Sequence, residues 1–462
     1  MSLPADLNLT ETIFALSTGS LPAAIAIIRI SGPKTADILT QITQKKLPLP
    51  RLAQRNLLYI KSGSSDNLAD QQAKILDEAL VLWFPNPASF TGEDMAELHV
   101  HGSRAIVEVL IKELQQFPET RLAEAGEFTK RAFQHGKLDL TAVEGLADLI
   151  AAETEAQRRQ ALRQYQGELG KLYEIWRHAL VHLAAYLEAY IDFPDEELPT
   201  ELNNMVKQKL ADLQTQIKNH LADGNRGQRI RQGLVLTIIG PPNAGKSSLI
   251  NWLSRRDVAI VSPIAGTTRD IVETTLNIGG VPVTIADTAG LRPTMDSIEE
   301  EGVRRARQHA LASDIQLLMV SAQDWPKIPD GIQELVTSET IFLVNKIDLS
   351  PSVSMAASPT PNTFFISLQT GAGLADFMEF LKQKIGEMVG TAIGSAPLIT
   401  RRRHRQALEK CLLSLEQADM TVSIELMAED LRLAIRALGE ITGRVHIEEM
   451  LDVIFREFCI GK

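Results

Sequence analysis

Apolar and polar positions change their spacing along the chain, and the first 118 residues show the spacing of strands. The runs AAIAIIRISG (23–32) and ALVLWFP (79–85) are typical of buried strands, because each is short, apolar and closed by Gly or Pro. The apolar residues in 102–116 recur at helical intervals. We therefore expect a compact α+β domain over residues 1–118.

Helical spacing dominates two later parts of the chain, on either side of a different pattern. Residues 142–191 and 202–222 are nearly free of Gly and Pro, and their apolar residues recur about every 3.6 positions, as in amphipathic helices. Between about 234 and 385, apolar strands alternate with helical stretches, and 401–418 and 428–442 are helical again. This order favours an α/β domain inserted into a helical bundle.

Composition is ordinary for a globular protein of several domains. Of the 462 residues, 44% are hydrophobic and 23% are charged, and no run approaches the roughly 18 apolar residues of a membrane span. Cys411 and Cys459 are far apart, which argues against a disulfide framework, and the first residues lack the pattern of a secretory signal. We expect a cytoplasmic protein outside the membrane. The net charge of −11 excludes little, since a local basic patch can still bind phosphate.

A phosphate-binding loop is the strongest chemical signal in the sequence. GPPNAGKS, from Gly240 to Ser247, fits G-x-x-x-x-G-K-[ST] and lies directly between an apolar strand and a helical stretch. In such a loop the backbone N–H groups surround phosphate oxygens, Lys246 adds a positive charge, and the Ser247 hydroxyl can bind Mg²⁺.

Three further motifs favour guanine over adenine. NKID (345–348) follows the apolar strand TIFLV, and its Asp can accept both N–H groups of a guanine edge. DTAG (287–290) follows VTIA and supplies an Asp on the Mg²⁺ side and a glycine that senses the γ-phosphate. GTTRD (266–270) stands where a switch loop with a Mg²⁺-binding Thr belongs. Their order predicts a GTPase domain over residues 232–380.

The residue that activates water is less evident. Leu291 stands where many GTPases carry Gln, and an aliphatic side chain cannot orient water. The nearby candidates are Arg292, Asp296, Glu299, Glu300 and Glu301. The acidic run is also typical of a solvated helix start.

Asn243 permits two interpretations. Its carbonyl oxygen could complete a cage for a monovalent cation, which would stabilise transition-state charge as an arginine finger does. A turn-forming Asn is the ordinary alternative.

These motifs closely resemble those of the MnmE (TrmE) family of tRNA modification GTPases. PPNAGKSSLIN, GTTRD, DTAGL and NKID are joined by FTGED, AGEFTKRAFQHGKLDL, IDFPDEE and the terminal FCIGK, so the resemblance spans the whole chain. It implies a multidomain α/β plus all-α fold. A Ras-like GTPase domain (232–380) would interrupt a helical domain (119–231 and 381–462), after an α+β domain (1–118) that binds folate and dimerises.

The resemblance also assigns residues to the nucleotide and metal sites. Glu299 is the implied water-orienting residue, because it follows Asp287 by 299 − 287 = 12 positions. The implied Mg²⁺ ligands are Ser247 and Thr268, and the implied K⁺ ligands are Asn243, Ser262, Ile264 and Thr267. The implied GTP-binding residues are Asn243, Ala244, Gly245, Lys246, Ser247, Ser248, Ser262, Pro263, Ile264, Ala265, Gly266, Thr267, Thr268, Asp287, Thr288, Ala289, Gly290, Asn345, Lys346, Asp348 and Ser367.

For the first domain, the resemblance implies a site for a tetrahydrofolate derivative, 5-formyl- or methylene-tetrahydrofolate. The matching residues are Arg29, Glu97, Lys137 and Lys462. Arg29 and Lys137 would pair with folate carboxylates, and Glu97 would accept the pterin amino edge. The tail FCIGK would reach this site, where Cys459 is a candidate nucleophile; an apolar tail buried in a core is the alternative.

The family resemblance further implies partners. The chain would act as a homodimer with a flavoprotein of the MnmG (GidA) type, which would carry FAD and NADH. Together they would form a 5-(carboxymethyl)aminomethyl group on the wobble uridine of certain tRNAs, using a folate one-carbon unit. Two alternatives stay open: a ribosome-associated GTPase switch, and a folate-dependent one-carbon transferase that GTP regulates.

One motif departs from the usual pattern. Ser367-Leu368-Gln369 stands where guanine-nucleotide proteins commonly carry Ser-Ala-Lys. Backbone contacts to the base can survive this change, whereas the lysine side-chain contact cannot.

Overall fold

The computed structural model describes most of the chain, in two compact units. The described residues are 11–60, 74–192, 200–223, 225–256, 259–260, 274–286, 313–328, 330–350, 362–390, 397–421, 423–445, 451, 454–455, 458 and 461. The first unit comprises 1–147, 165–175 and 438–462, and the second comprises 148–164 and 176–437. The four domain ranges given above stay predictions. Among the helices in the described ranges, none has the length and apolarity needed to cross a membrane.

The first unit is built on a six-stranded sheet with the order β3-β4-β5-β2-β1-β6. Neighbouring strands are antiparallel, except that β1 and β6 are parallel. The strands are β1 (Thr12–Leu16), β2 (Ile25–Ser31), β3 (Gln54–Ile60), β4 (Lys74–Phe84), β5 (Met95–His101) and β6 (Thr120–Leu122).

Two helices cover one face of this sheet. Apolar residues of α1 (Thr35–Thr43) and α2 (Arg104–Leu114) pack with the alternate strand residues Ala26, Ile28 and Ile30. Because successive strand side chains point to opposite faces, Arg29 lies on the other face.

The end of the chain returns to the first unit. Helix α3 (Glu127–Gln134) is followed by α4 (Leu140–Ala151), whose Leu140 and Val143 share a core with Phe455 and Phe458. Further on, the Ser17 hydroxyl donates a hydrogen bond to the carbonyl oxygen of Gly461 at 2.9 Å. The tail therefore reaches the end of β1.

The second unit contains a seven-stranded sheet with the order β13-β12-β11-β7-β10-β9-β8. Pairs that involve β9 are antiparallel and the other neighbours are parallel. Helices α9 (Lys246–Arg256) and α11 (Leu374–Val389) share a core with one face of the sheet, and the short α10 (Asp330–Gln333) adds Ile332 to a second cluster with Leu318 and Phe342. The strands are β7 (Leu234–Ile239), β8 (Ala259–Ile260), β9 (Thr274–Ile278), β10 (Val281–Ala286), β11 (Ile315–Ser321), β12 (Ile341–Asn345) and β13 (Thr363–Phe365).

Helices precede and follow this α/β layer in sequence. Helix α7 packs against α12, where the Gln214 amide donates a hydrogen bond to the Leu415 carbonyl at 2.9 Å. The insertion predicted from the hydrophobic pattern therefore agrees with the order of the elements. The helices are α5 (Glu155–Tyr165), α6 (Glu168–Asp192), α7 (Thr200–Leu221), α8 (Arg226–Gln232), α12 (Arg402–Met420) and α13 (Ile424–Thr442).

Candidate functional site

The carboxyl ends of the parallel strands of the second unit bring the nucleotide motifs together. The phosphate loop, defined here as residues 240–247, joins β7 to α9, the NKID motif follows β12, and Ser367 follows β13. Because β7, β11, β12 and β13 run in the same direction, these loops meet at one edge of the sheet, where open α/β sheets bind ligands.

The phosphate loop bends tightly around its own lysine. The Lys246 ammonium donates hydrogen bonds to the carbonyl oxygens of Gly240 at 2.7 Å and Pro241 at 2.9 Å. Gly245 has φ +109°, and a Cβ there would lie 2.4 Å from Nδ2 of Asn345. This position therefore requires glycine, and the backbone can approach a phosphate group closely. Asn243 adopts a left-handed conformation with φ 62°.

Asn345 connects the phosphate loop to the loop after β13. Its side chain is 2% exposed, and Nδ2 donates a hydrogen bond to the Ala244 carbonyl at 2.9 Å. Its Oδ1 accepts the backbone N–H of Leu368 at 3.3 Å. One buried amide thus fixes the distance between the phosphate loop and the loop after β13.

The carboxylate of Asp348 lies at the exposed end of this site, where a hydrogen bond fixes its orientation. Asp348 is exposed, and its Oδ1 accepts a 2.6 Å hydrogen bond from the fully buried Ser367 hydroxyl. The same hydroxyl accepts the Thr370 backbone N–H at 3.2 Å. Since Leu368 uses its backbone to bind Asn345, replacing Ala by Leu in this motif leaves the main-chain link intact.

Several predicted residues lie outside the part of the chain that the structure describes. Ser247 and Ser248 are exposed in the first turn of α9, and strand β10 ends at Ala286, immediately before the DTAG motif. The predicted residues outside the described ranges are Ser262, Pro263, Ile264, Ala265, Gly266, Thr267, Thr268, Asp287, Thr288, Ala289, Gly290, Glu299, Cys459 and Lys462.

A second group of predicted residues meets on the face of the first unit's sheet that α1 and α2 do not cover. Arg29 and Glu97 are directly opposite each other on β2 and β5. The Arg29 guanidinium donates hydrogen bonds to Glu97 Oε1 at 2.9 and 3.2 Å, and His99 Nε2 lies 3.3 Å from Glu97 Oε2. The guanidinium carbon also lies 5.6 Å from the ring centre of Phe90 and 5.7 Å from that of Phe128. Arg29 is therefore well placed to hold the Glu97 carboxylate in one orientation.

Lys137 and the tail belong to other segments of the same unit. Lys137 is exposed, and its Cε would lie 3.4 Å from a Cβ on Gly92, so it lies beside the loop between β4 and β5. Gly461 contacts Leu16 and Ser17, and the Ser17 N–H donates to the carbonyl of Ile27, two positions before Arg29 on β2.

Of the two cysteines, Cys411 lies in the part of the chain that the structure describes. Cys411 is fully buried within α12, and burial raises the pKa of its thiol to about 12. A thiol that stays protonated is a poor nucleophile, so Cys411 has no part in thiolate chemistry. Cys459 lies outside the described residues.

Comparisons with known proteins cover both groups of residues. The family "GTP-binding protein TrmE N-terminus" matches residues 12–137, and the family "MnmE helical domain" matches residues 140–459. The tRNA modification GTPase MnmE of Parvibaculum lavamentivorans is 49% identical over 458 residues, which are 98% of this chain and 100% of that protein. The chain belongs to the MnmE family of tRNA modification GTPases.

Other relatives extend the comparison beyond bacteria. The MnmE protein of Rhodospirillum rubrum is 48% identical over 455 residues, covering 98% of this chain and 99% of its own. The mitochondrial 5-taurinomethyluridine-[tRNA] synthase subunit GTPB3 of Danio rerio is 44% identical over 477 residues, covering 98% and 93%. Membership of the MnmE family makes this chain a GTP hydrolase, and it confirms the multidomain fold and the family predicted from the motifs.

Sequence reasoning on the MnmE chain missed the residues that act through others. Ser17 follows β1, which pairs with the strand of Arg29, whereas Phe90 lies in the loop between β4 and β5 and Phe128 on α3, so only the folded structure brings the two rings to Arg29. For Phe90 and Phe128 no local signal exists, since an aromatic residue near a strand is usually part of a core.

Proposed function

We propose that this chain is a K⁺-activated, dimerisation-dependent GTPase that works with a flavoprotein of the MnmG type. The pair forms the 5-(carboxymethyl)aminomethyl group on the wobble uridine of certain tRNAs, with a tetrahydrofolate one-carbon unit and with FAD and NADH on the flavoprotein. The observation that carries the proposal is the full-length match to relatives named as tRNA modification GTPases. The same chain contains both the candidate nucleotide site and the Arg29–Glu97 contact. The name of the Danio rerio relative supports chemistry at carbon 5 of uridine.

At the nucleotide site, the described residues fit GTP. Lys246 and the phosphate-loop backbone bind the phosphates, and Asp348 accepts the guanine N–H groups while Ser367 holds its carboxylate. Asn345 and the backbone of Gly245 and Ala244 keep the two halves of the site in register. Ser247 and Thr268 would hold a Mg²⁺ ion, which would neutralise phosphate charge, and DTAG (287–290) would sense the γ-phosphate.

The K⁺ site depends on Asn243 and the loop from Ser262 to Thr267. The left-handed backbone and exposed side chain of Asn243 support its availability to an ion, and they equally suit a turn-forming role. The proposed ligands are Asn243, Ser262, Ile264 and Thr267, in a cage completed when two GTPase domains meet. Glu299 orients the attacking water.

The folate site lies on the sheet face of the first unit that carries Arg29 and Glu97. Glu97 accepts the pterin amino edge, and Arg29 holds the Glu97 carboxylate through two hydrogen bonds. Lys137 pairs with a folate carboxylate and Lys462 is a further folate contact, and the position of Gly461 beside Ser17 supports a tail that reaches this unit's sheet. Cys459 is the candidate nucleophile for the one-carbon unit.

The proposal is tested in cells that lack this protein, by mass spectrometry of wobble nucleosides from their tRNA. We expect the 5-(carboxymethyl)aminomethyl nucleosides to disappear, to return with the wild-type chain, and to stay absent with Glu299→Ala. Normal nucleosides in the deleted strain, together with association of the protein with ribosomal subunits, would favour the ribosome-associated switch and overturn the proposal.

The same variants are then compared as purified proteins. We expect GTP hydrolysis to be faster in K⁺ than in Na⁺ and to collapse in Glu299→Ala, with GDP affinity unchanged, because Glu299 acts on water and not on the base. Glu334→Ala, on the same unit, serves as the control for loss of a carboxylate. Equal rates in the two salts would exclude the ion cage.

A further inference from the structure

Asp148 joins the helix that enters the α/β layer to the segment that leaves it. Its Oδ1 accepts hydrogen bonds from Arg231 Nε at 2.8 Å and from Arg401 Nη2 at 2.9 Å. Arg231 lies at the end of α8, three positions before β7, and Arg401 precedes α12, after the last strand and helix of the layer. The side chains of Asp148, Arg231 and Arg401 are 14%, 25% and 12% exposed, so solvent screens these pairs only in part.

Helix α8 is fastened on two sides. Toward the sheet, Arg229 pairs with Asp314 at 3.5 Å, and the second Asp314 oxygen accepts the Val235 N–H at 3.0 Å. Toward α5, the amides of Gln157 and Gln160 donate to the carbonyls of Arg231 at 3.0 Å and Gly227 at 2.9 Å. A displacement of the sheet would therefore be transmitted to α5 through the short helix α8.

The contact between α8 and the leaving segment is close. A Cβ on Gly227 would lie 2.4 Å from the Ile399 carbonyl oxygen, so the two backbones touch where they cross. At its other end, α8 contacts β10, the strand that runs directly into DTAG. Helix α8 thus lies between β10 and α5.

A cavity lies beside Asp148 and leaves room for a helix to shift. It has a volume of about 200 Å³ and is lined by Asp148, Gln157, Gln160 and Arg231 among others. A cavity of this size accommodates several water molecules, which can rearrange when a helix shifts. The contacts of Asp148 with Arg231 and Arg401 are therefore hydrogen-bonded ion pairs that border this cavity.

We propose that Asp148 is a positioning residue that couples the nucleotide site to α5, by holding α8 and the segment at Arg401 together as one body. The inference rests on nucleotide binding at the phosphate loop and not on the identity of the modified tRNA. Arg231 and Arg401 are its partners in the coupling, and α8 is the element that moves.

The test is hydrogen–deuterium exchange of the full-length chain with GDP and with a non-hydrolysable GTP analogue. In the wild type we expect the exchange of α5 and of α9 to differ between the two nucleotides. In Asp148→Asn, the difference in α5 falls about fivefold or more, while the difference in α9 and the affinity for GDP stay within about twofold. Arg231→Gln and Arg401→Gln reproduce the loss, and each combined with Asp148→Asn adds little further effect.

The matched control is Glu155→Gln, which removes one carboxylate from α5 itself. Glu155 pairs with Arg158 and Arg159 of the same helix, so its loss leaves the contacts of Asp148 unchanged. Three results would overturn the proposal: a wild-type α5 that does not respond to the nucleotide, an Asp148→Asn protein that keeps the full response, or one that loses the α9 response and GDP affinity as well. The last result would assign Asp148 to general stability.

Discussion

The Ser367 hydroxyl is fully buried and donates to Asp348, whose carboxylate is exposed. We expect Ser367→Ala to weaken GDP binding about tenfold, because a hydrogen bond to a charged group contributes about 1.5–3 kcal/mol and the carboxylate would then rotate freely. Titration with a fluorescent GDP analogue measures this change. Thr370→Ala is the control, since its side chain does not contact Asp348. An unchanged affinity would show that the base alone orients the carboxylate.

Local motifs predicted the residues of the nucleotide site but not their mutual contacts. Lys246 and Asn345 were identified because a few adjacent residues define each motif. The hydrogen bond from Asn345 to Ala244 joins positions 101 apart in sequence, and spacing alone cannot reveal it. The pairing of Arg29 with Glu97 was missed for the same reason, since it follows from strand register.

At the scale of elements, a buried ionic network attaches α3 to the first unit's sheet. Glu127 on α3 accepts hydrogen bonds from Arg121 at 2.7 and 2.8 Å and from Arg131 at 3.1 Å, and Arg131 also bonds Glu93 at 3.0 Å. Glu127 is 3% exposed and Arg131 2%. Breaking such a pair by removing one partner leaves a buried charge uncompensated.

The network predicts a particular response to acid. Burial by itself raises the pKa of Glu127, but the bonds from Arg121 and the Glu124 N–H and the charge of Arg131 outweigh it, so the pKa lies below its ordinary 4.5. The ionised form therefore adds stability above pH 4.5, and this stability is lost as the pH falls through the lowered pKa. We expect Glu127→Gln to cost about 3–5 kcal/mol near neutral pH and less in acid.

Urea unfolding of the two proteins, followed by circular dichroism at a series of pH values, checks this expectation. Glu124→Gln, on the same segment but exposed, should follow the wild type. A constant difference between Glu127→Gln and wild type from pH 7 to acid would contradict the role of the ionised carboxylate.

The sequence predicted the strand at 23–32 more accurately than the points at which helices begin. The strand expected at 23–32 is observed at Ile25–Ser31, because its alternate residues Ala26, Ile28 and Ile30 pack into one core. The helical stretch expected over 142–191 is three helices, α4, α5 and α6. Thr154 and Gln157 form a capping box at the start of α5, in which Gln157 Oε1 accepts the Thr154 N–H at 3.1 Å. That signal was present in TEAQ, and the regular apolar spacing concealed it.

At the scale of the whole molecule, the hydrogen bond from Ser17 to Gly461 joins residues 444 apart. Gly461 has φ +96°, and a Cβ would lie 2.2 Å from the Leu16 carbonyl oxygen. We expect Gly461→Ala to displace the tail, so that carboxypeptidase removes it about tenfold faster or more, as for a terminus that is no longer docked.

Gly136→Ala provides the matched control. Gly136 also has a positive φ, +66°, but its Cβ would meet nothing within 4 Å. The Gly136→Ala variant therefore introduces the backbone strain of a positive φ without a steric clash of the Cβ. If Gly461→Ala resisted digestion as well as Gly136→Ala does, the tail would not depend on its contact with Leu16. Binding of 5-formyl-tetrahydrofolate to the same two proteins then shows whether the docked tail serves the folate site.

The crossing of Gly227 with Ile399 has a consequence for modular engineering. The chain enters and leaves the α/β layer at nearly one point, and a domain whose two ends meet is tolerated as an insertion because the host has no gap to bridge. Residues 228–398 therefore form a segment that can be exchanged for the corresponding segment of a relative. The exchange does not change the distance between the two helical segments that the insert joins. The tight backbone contact at Gly227 is the seam that such a chimera has to preserve.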